Sequence, residues 1–248
     1  MPLFSADSIG KSFGTHVVLK SASVWAFPGR ITVLFGRNGC GKTTLLRIGV
    51  GLLAADHGVV RYAGVPYLRP KLHHLAGRGV FYLPPDGFFT PSLTLRQHLN
   101  AMQRCLRIAD PMWAVELLGV AELLDVETKG FSGGERRRAE VALALARDPR
   151  CLLADEPFAG ISPATAEELA RAFRALAGRG CALVITGHEV PQLMSVADHV
   201  VWSTAGTTHH IGGPAEAARH EQFCREYLGP GRFRVRQTEA SPTRIGTR

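Results

Sequence analysis

One stretch limits the folds open to this chain more than any other: Phe35 to Leu46, read Phe-Gly-Arg-Asn-Gly-Cys-Gly-Lys-Thr-Thr-Leu-Leu. The run Ile31 to Phe35 before it has the β-branched and aromatic character of a short buried strand, and the apolar residues from Leu45 onward open a helix. Between them Gly36, Gly41, Lys42 and Thr43 fit the spacing G-x-x-x-x-G-K-[ST] of a phosphate loop. A polyphosphate needs backbone N–H groups close on several sides, so side chains must vanish at Gly36, Gly39 and Gly41, where the turn is tight. Arg37, Asn38, Cys40 and Thr44 complete the cradle. Lys42 is placed to reach the β- and γ-phosphates, Thr43 to set a hydroxyl on Mg²⁺, and the helix N-terminus adds its positive dipole end.

A chain of 248 residues is long enough for a sizeable core, which predicts one globular unit with an inserted subdomain. Lys plus Arg number 29 against 21 Asp plus Glu, a net charge of +8 that suits phosphate ligands, nucleic acid or an anionic membrane face. Much of the excess lies after Gly229, where Arg232, Arg234, Arg236, Arg244 and Arg248 face a single Glu239. That tail reads as a solvated, disordered end, with lipid head groups or a partner as the alternative. Cys40, Cys105, Cys151, Cys181 and Cys224 form no C-x-x-C pair and are odd in number, so a reduced cytosolic protein with no disulfide partner is expected. No signal segment and no run of about 18 apolar residues is visible, so any membrane role is expected to be borrowed from a partner.

Upstream of the loop, Pro2 to Phe13 and Val17 to Phe27 read as strands. Phe13 is placed to stack on adenine, or to sit in the core. Downstream, Gly58 to Ala63 reads as a strand with Gly64-Val65-Pro66 as a turn, and Val80 to Leu83 as a buried strand halted by Pro84 and Pro85. Residues 86 to 147 turn helical in period, which predicts an inserted helical region. Within it Ser132 is an N-cap beside Gly133 and Gly134, leading into Glu135 and three arginines. Read alone, this is a second anion site or simply a capped helix.

Cys151-Leu-Leu-Ala154 is an apolar strand ending in Asp155 and Glu156. Carboxylates at the C-terminal end of a strand face the crevice where open α/β sheets bind ligands. Asp155 is expected to hold Mg²⁺ and Glu156 to orient or deprotonate water. Ser162-Pro163 starts a helix that stops at Gly178 or Gly180, and Cys181 to Thr186 is the next strand. It is followed by His188, either a γ-phosphate donor or a structural histidine. The pairs His73-His74 and His209-His210 read as exposed loop residues without metal-binding spacing.

Taken together, these motifs resemble the ATP-binding subunit of ABC transporters over about residues 3 to 230. Gly36 to Thr43 matches the Walker A loop, Phe131 to Glu135 the signature sequence with Phe in place of Leu, Leu152 to Glu156 Walker B, and His188 the switch histidine. The resemblance implies an α/β fold of the P-loop NTPase kind, a sheet flanked by helices with an N-terminal antiparallel β subdomain and an inserted α-helical subdomain at about 86–147. It implies a Mg²⁺-dependent ATPase with catalytic Glu156, His188 and Lys42 and with Phe13 on adenine. Two cassettes, identical or unequal, would join head to tail so that Ser132, Gly133, Gly134 and Glu135 of one cover the ATP of the other. It also implies transmembrane permease subunits as partners, a place on the inner face of the cell membrane, and no nucleic acid. The ending Arg225-Glu-Tyr-Leu-Gly229 with Phe233, and the run Glu156-Pro-Phe-Ala-Gly-Ile161, resemble the subgroup of branched-chain amino-acid importers and the lipopolysaccharide-export ATPase.

Two residues depart from the family pattern. Pro85 stands where a metal-touching glutamine is expected, so Asp86 or a water is the substitute ligand, and Ser162 stands where an aspartate is expected. They keep open a degenerate cassette that binds ATP and hydrolyses it weakly, as the basic charge keeps open a nucleic-acid-associated ATPase. Cys40 lies inside the phosphate loop, where alkylation is expected to block nucleotide binding.

Overall fold

A computed structural model describes residues 1–106 and 110–228. The arginine-rich tail at 231–248 lies outside the described residues. β1 (Phe4–Phe13) and β2 (His16–Ala26) form a hairpin, followed by β3 (Ile31–Phe35), α1 (Lys42–Gly49), β4 (His57–Tyr62), β5 (Val65–Tyr67), α2 (Leu72–Gly77) and β6 (Val80–Leu83). Then come α3 (Leu95–Leu106), α4 (Met112–Leu117), α5 (Gly133–Ala146), β7 (Cys151–Ala154), α6 (Pro163–Gly178), β8 (Ala182–Gly187), α7 (Val190–Val196), β9 (His199–Thr204) and β10 (Thr207–Gly212). Two short turns of helix, α8 (Pro214–Ala217) and α9 (Glu221–Phe223), lead into a π-turn over Cys224–Leu228.

The strands join in the order β5-β4-β1-β2-β10-β9-β3-β8-β7-β6. β6, β7, β8, β3 and β9 are parallel neighbours, whereas β1, β2, β4 and β5 pair antiparallel. The fold is therefore α/β, a mixed sheet with flanking helices and an N-terminal antiparallel section. β3, β7 and β8 are buried along their whole length, which is why their sequences are nearly continuous apolar runs. Alternate residues still divide. Ile31, Val33, Phe35, Leu152, Ala154, Leu183 and Ile185 pack with α5, α6 and α7, while Leu34, Leu153 and Val184 meet Leu45, Leu46 and Ile48 of α1. Among the described residues, the stretch between β6 and β7 holds α3, α4, α5 and two short 3₁₀ turns and no named strand, with a single bridge from Thr94 to Glu127.

Three local readings are corrected. Val65-Pro66 is not a turn: the chain reverses at Ala63-Gly64, and Val65–Tyr67 is an edge strand on β4, where Pro66 is tolerated because an edge leaves one side unpaired. His73 and His74 are exposed but lie on α2, six residues long and too short to show a period. His209 and His210 lie on β10, where the His210 ring stacks on Trp25 at 3.9 Å between centroids.

Candidate functional site

The loop between β3 and α1 takes its shape from its glycines. Gly39 and Gly41 have φ of 79° and 98°, a region costly for other residues. At Gly36 the constraint is space, since a Cβ would stand 2.4 Å from Cys40 Sγ and 2.9 Å from the Ser203 carbonyl. α1 starts at Lys42 with no side chain capping its first turn and no acidic residue there, so its N–H groups point unopposed into the loop. A cavity of about 300 Å³ lies over them, lined by Asn38, Gly39, Gly41, Lys42, Thr43, Thr44, Val18 and Glu156.

Lys42 is buried, and its ammonium donates to the carbonyls of Gly36 at 2.9 Å and Arg37 at 3.3 Å. It also pairs with Glu156 Oε1 at 3.4 Å. Glu156 sits just past β7 at φ 48°, a left-handed conformation that costs on the order of 1 kcal/mol for a side chain of this kind. What holds it there is Thr186 at the end of β8, whose hydroxyl accepts the Glu156 amide at 3.0 Å. The same hydroxyl donates to Asp155 Oδ1 at 2.6 Å. Asp155 is fully buried, and its other oxygen accepts the Tyr82 phenol at 3.1 Å. Burial, then the neighbouring Asp155 carboxylate, pushes the Tyr82 phenol up, so it stays a donor. His188 is half-exposed, with Nδ1 3.8 Å from Glu156 Oε2 and Nε2 3.3 Å from Glu189 Oε1.

Other expected residues lie apart from this cavity. Phe13 is 50% exposed at the end of β1, with the Lys11 ammonium 5.5 Å from its ring centre. Arg37 turns to the rear of the loop, where its guanidinium donates to the Glu226 carbonyl at 3.1 Å. Tyr227 meets the Gly36 carbonyl from the same side at 3.4 Å, and its ring packs with Phe35 and Phe223. Cys40 lines a second cavity of about 380 Å³ there, together with Arg37, Trp202, Ser203 and Tyr227. Its amide is turned onto the Arg37 carbonyl at 3.2 Å. All five cysteines are free.

Ser132 caps α5 in a reciprocal box: its hydroxyl accepts from the Glu135 amide at 3.4 Å, and Glu135 Oε2 accepts from the Ser132 amide at 2.8 Å. These hydrogen bonds hold the Glu135 carboxyl below its usual range. Gly133 lines a third cavity, of about 200 Å³, with Pro85, Asp86, Arg137 and Glu140. The chain thus does not bring its Ser132–Glu135 turn or Asp86 to the cavity holding Lys42, Thr43 and Glu156. Ser162 caps α6, its hydroxyl accepting from the Thr165 amide at 3.2 Å. Among the described residues, no three His, Cys, Asp or Glu side chains converge as a metal cluster, and no helix is long and apolar enough to cross a membrane.

Sequence reasoning missed Tyr82 and Thr186. Thr186 carried a signal, a polar residue ending an otherwise apolar strand; Tyr82 had none, because its partner is known only once β6 lies beside β7.

The family profile described as ABC transporter matches residues 19–159. The lipopolysaccharide export system ATP-binding protein LptB of Haemophilus influenzae is 31% identical over 236 residues, 92% of this chain and 98% of that protein. The zinc import ATP-binding protein ZnuC of Halorhodospira halophila is 34% identical over 234 residues, 92% of this chain and 85% of that protein. In fold, the chain is similar to an ABC transporter ATP-binding cassette solved in its ADP conformation, with a TM-score of 0.80 at 22% identity over 92% of this chain and 99% of that one. A phosphate loop with its lysine seated on a strand-end glutamate, in a chain aligned almost end to end with these relatives, belongs to the ABC transporter ATP-binding family, whose members bind and hydrolyse ATP.

Proposed function

We propose that Lys42, Thr43, Glu156 and His188 form the hydrolytic half of one ATP site, and that Ser132 to Glu135 form the closing half of another in a facing cassette. The observation that carries the first half is the Lys42 to Glu156 ion pair over the phosphate cavity. Incoming phosphates compete for the ammonium, which exchanges Glu156 and the Gly36 and Arg37 carbonyls for the β- and γ-oxygens. The freed Glu156 carboxylate, on a backbone pinned by Thr186, accepts the proton of the attacking water, and His188 turns to the γ-phosphate. The donors near the loop, the Thr43 hydroxyl and the Asp155 carboxylate, are hard oxygens that suit Mg²⁺, which takes one or two carboxylates beside phosphate oxygens. When bound there, the ion neutralises charge on the phosphates.

The second half rests on separation: one chain keeps its capped glycine turn away from its own phosphate loop, so that turn is free to serve a second copy or an unequal partner. The partners in the membrane are permease subunits. A cleft of about 580 Å³ lined by Arg47, Leu52, Leu72, Phe81, Tyr82 and Phe88 offers an apolar seat for an element of such a subunit at the inner membrane face. Relatives named for lipopolysaccharide export and for zinc import support a common motor whose cargo is chosen by the membrane subunits.

Glu156→Gln tests the assignment. It should keep ATP binding and lower Mg-ATP turnover by about 10²-fold or more, the usual contribution of a positioned base. Turnover within a few-fold of wild type would reject Glu156 as the base. A wild type that binds ATP without turnover would favour the clamp-like cassette suggested by Pro85 and Ser162.

A further inference from the structure

The loop after β6 holds two consecutive prolines, Pro84 and Pro85, which bring carbonyls but no N–H groups. Both carbonyls are taken by one side chain. Arg137 Nη2 donates to the Pro85 carbonyl at 2.6 Å and Nη1 to the Pro84 carbonyl at 3.3 Å. Arg137 lies just over one turn inside α5 and is 8% exposed, and its charge is met by Glu140 Oε2 at 3.2 Å. Glu140 is 1% exposed, and the Phe88 amide faces its carboxylate. Gly87, at φ 78°, rests directly on Glu140 Oε1, where a Cβ would stand 2.1 Å away. The loop is therefore seated on the Arg137–Glu140 pair by two charge-assisted hydrogen bonds and a steric fit that only glycine allows.

A buried ion pair is a poor stabiliser, because desolvation offsets most of its attraction. What it supplies is register between two segments. At one end of the register is the α5 N-terminus, with Ser132, Gly133 and Gly134. At the other is the end of β6, where the Leu83 carbonyl accepts the Asp155 amide at 2.9 Å and Tyr82 holds the Asp155 carboxylate. The outer side of the same loop, at Pro84 and Phe88, lines the apolar cleft.

We propose that Arg137 is the positioning residue that locks the Pro84–Gly87 loop to the glycine turn of α5, so that a displacement at either the apolar cleft or the Asp155 strand end is delivered to Ser132–Gly134. This rests on the reading that Ser132–Gly134 closes a partner's ATP site. Arg137 touches neither ATP cavity residue nor phosphate, so its substitution leaves nucleotide binding in place and acts on closure. Because Pro85 is held through its carbonyl, the role belongs to the arginine and not to the proline side chain.

The test compares wild type with Arg137→Lys, which keeps charge and loses the two-pronged donor. The variant should keep its circular dichroism and its ATP affinity within about twofold, while Mg-ATP kcat falls roughly tenfold, within the range of coupling free energies between sites. Amide exchange should quicken at Gly87–Phe88 and at Gly133–Arg136 together. A folded variant with wild-type kcat, or with faster exchange in only one of the two segments, overturns the proposal. Should the variant fail to fold, wild type answers the question. A non-cleavable ATP analogue should slow exchange in both segments at the same nucleotide concentration, and a change confined to one overturns the coupling. Wild type without any turnover rejects the functional reading instead, which separates the two failures.

Discussion

The Thr186 hydroxyl donates to Asp155 and accepts from the Glu156 amide, so a single buried oxygen fixes the Asp155 carboxylate and pins the Glu156 backbone at the end of β7. Thr186→Val keeps the shape and removes both bonds. Leaving a buried carboxylate oxygen and an amide unpaired should lower stability by about 2 kcal/mol, read from denaturant midpoints. Turnover should fall more than ATP affinity does, because Lys42 and the loop glycines are untouched. At this scale the residues most legible in the sequence were those whose chemistry is local: Gly36 to Thr43 announce a phosphate loop by spacing alone. Tyr82, Thr186 and Arg137 escaped because each acts on a partner distant in the chain, and a strand pairing or a helix packing has to be known before the contact exists. Asp86 shows the converse. Sequence proximity to Pro85 suggested a metal ligand, yet the structure turns that loop toward Arg137 and the α5 glycines, in a cavity apart from Thr43.

Among the elements, α5 carries the clearest local code. Ser132 and Glu135 satisfy each other's backbone N–H groups, so Ser132→Ala should cost about 1 kcal/mol in thermal or denaturant unfolding. The box also has a pH signature. Glu135 is held below its ordinary value of 4.5, first by its hydrogen bonds with Ser132. The folded state thus favours the carboxylate, the stabilisation is fully present above pH 4.5, and it is lost as pH falls through the lower folded value. The stability difference between wild type and Glu135→Ala should accordingly shrink as pH is taken below 4.5, with constancy across that window counting against the box. Burial more than length decided which elements could be read. β3, β7 and β8 stood out because burial on both faces makes them continuous apolar runs. α2, β5 and β10 were missed because they are short and mostly exposed or half-buried, so polar side chains break any apolar pattern.

Across the whole molecule, one sheet separates two hydrophobic clusters, and the phosphate loop stands at the C-terminal end of β3, an interior strand between β9 and β8. Ligand binding there should be felt globally. At nucleotide one hundred times its dissociation constant, linkage adds about 2.7 kcal/mol, a rise of roughly 5–10 °C in melting temperature for a chain of this size. Lys42→Ala should abolish most of that rise, and an unchanged shift would place the nucleotide elsewhere. The rear of the loop has a different dependence. Gly36 and Arg37 are braced by Tyr227 and Glu226, contacts spanning 191 and 189 positions of sequence. During translation, then, the lysine and glycines emerge long before the aromatic turn that backs them. A chain cut ahead of Phe223 keeps the lysine and glycines that face the phosphates and lacks the contacts that back Gly36 and Arg37.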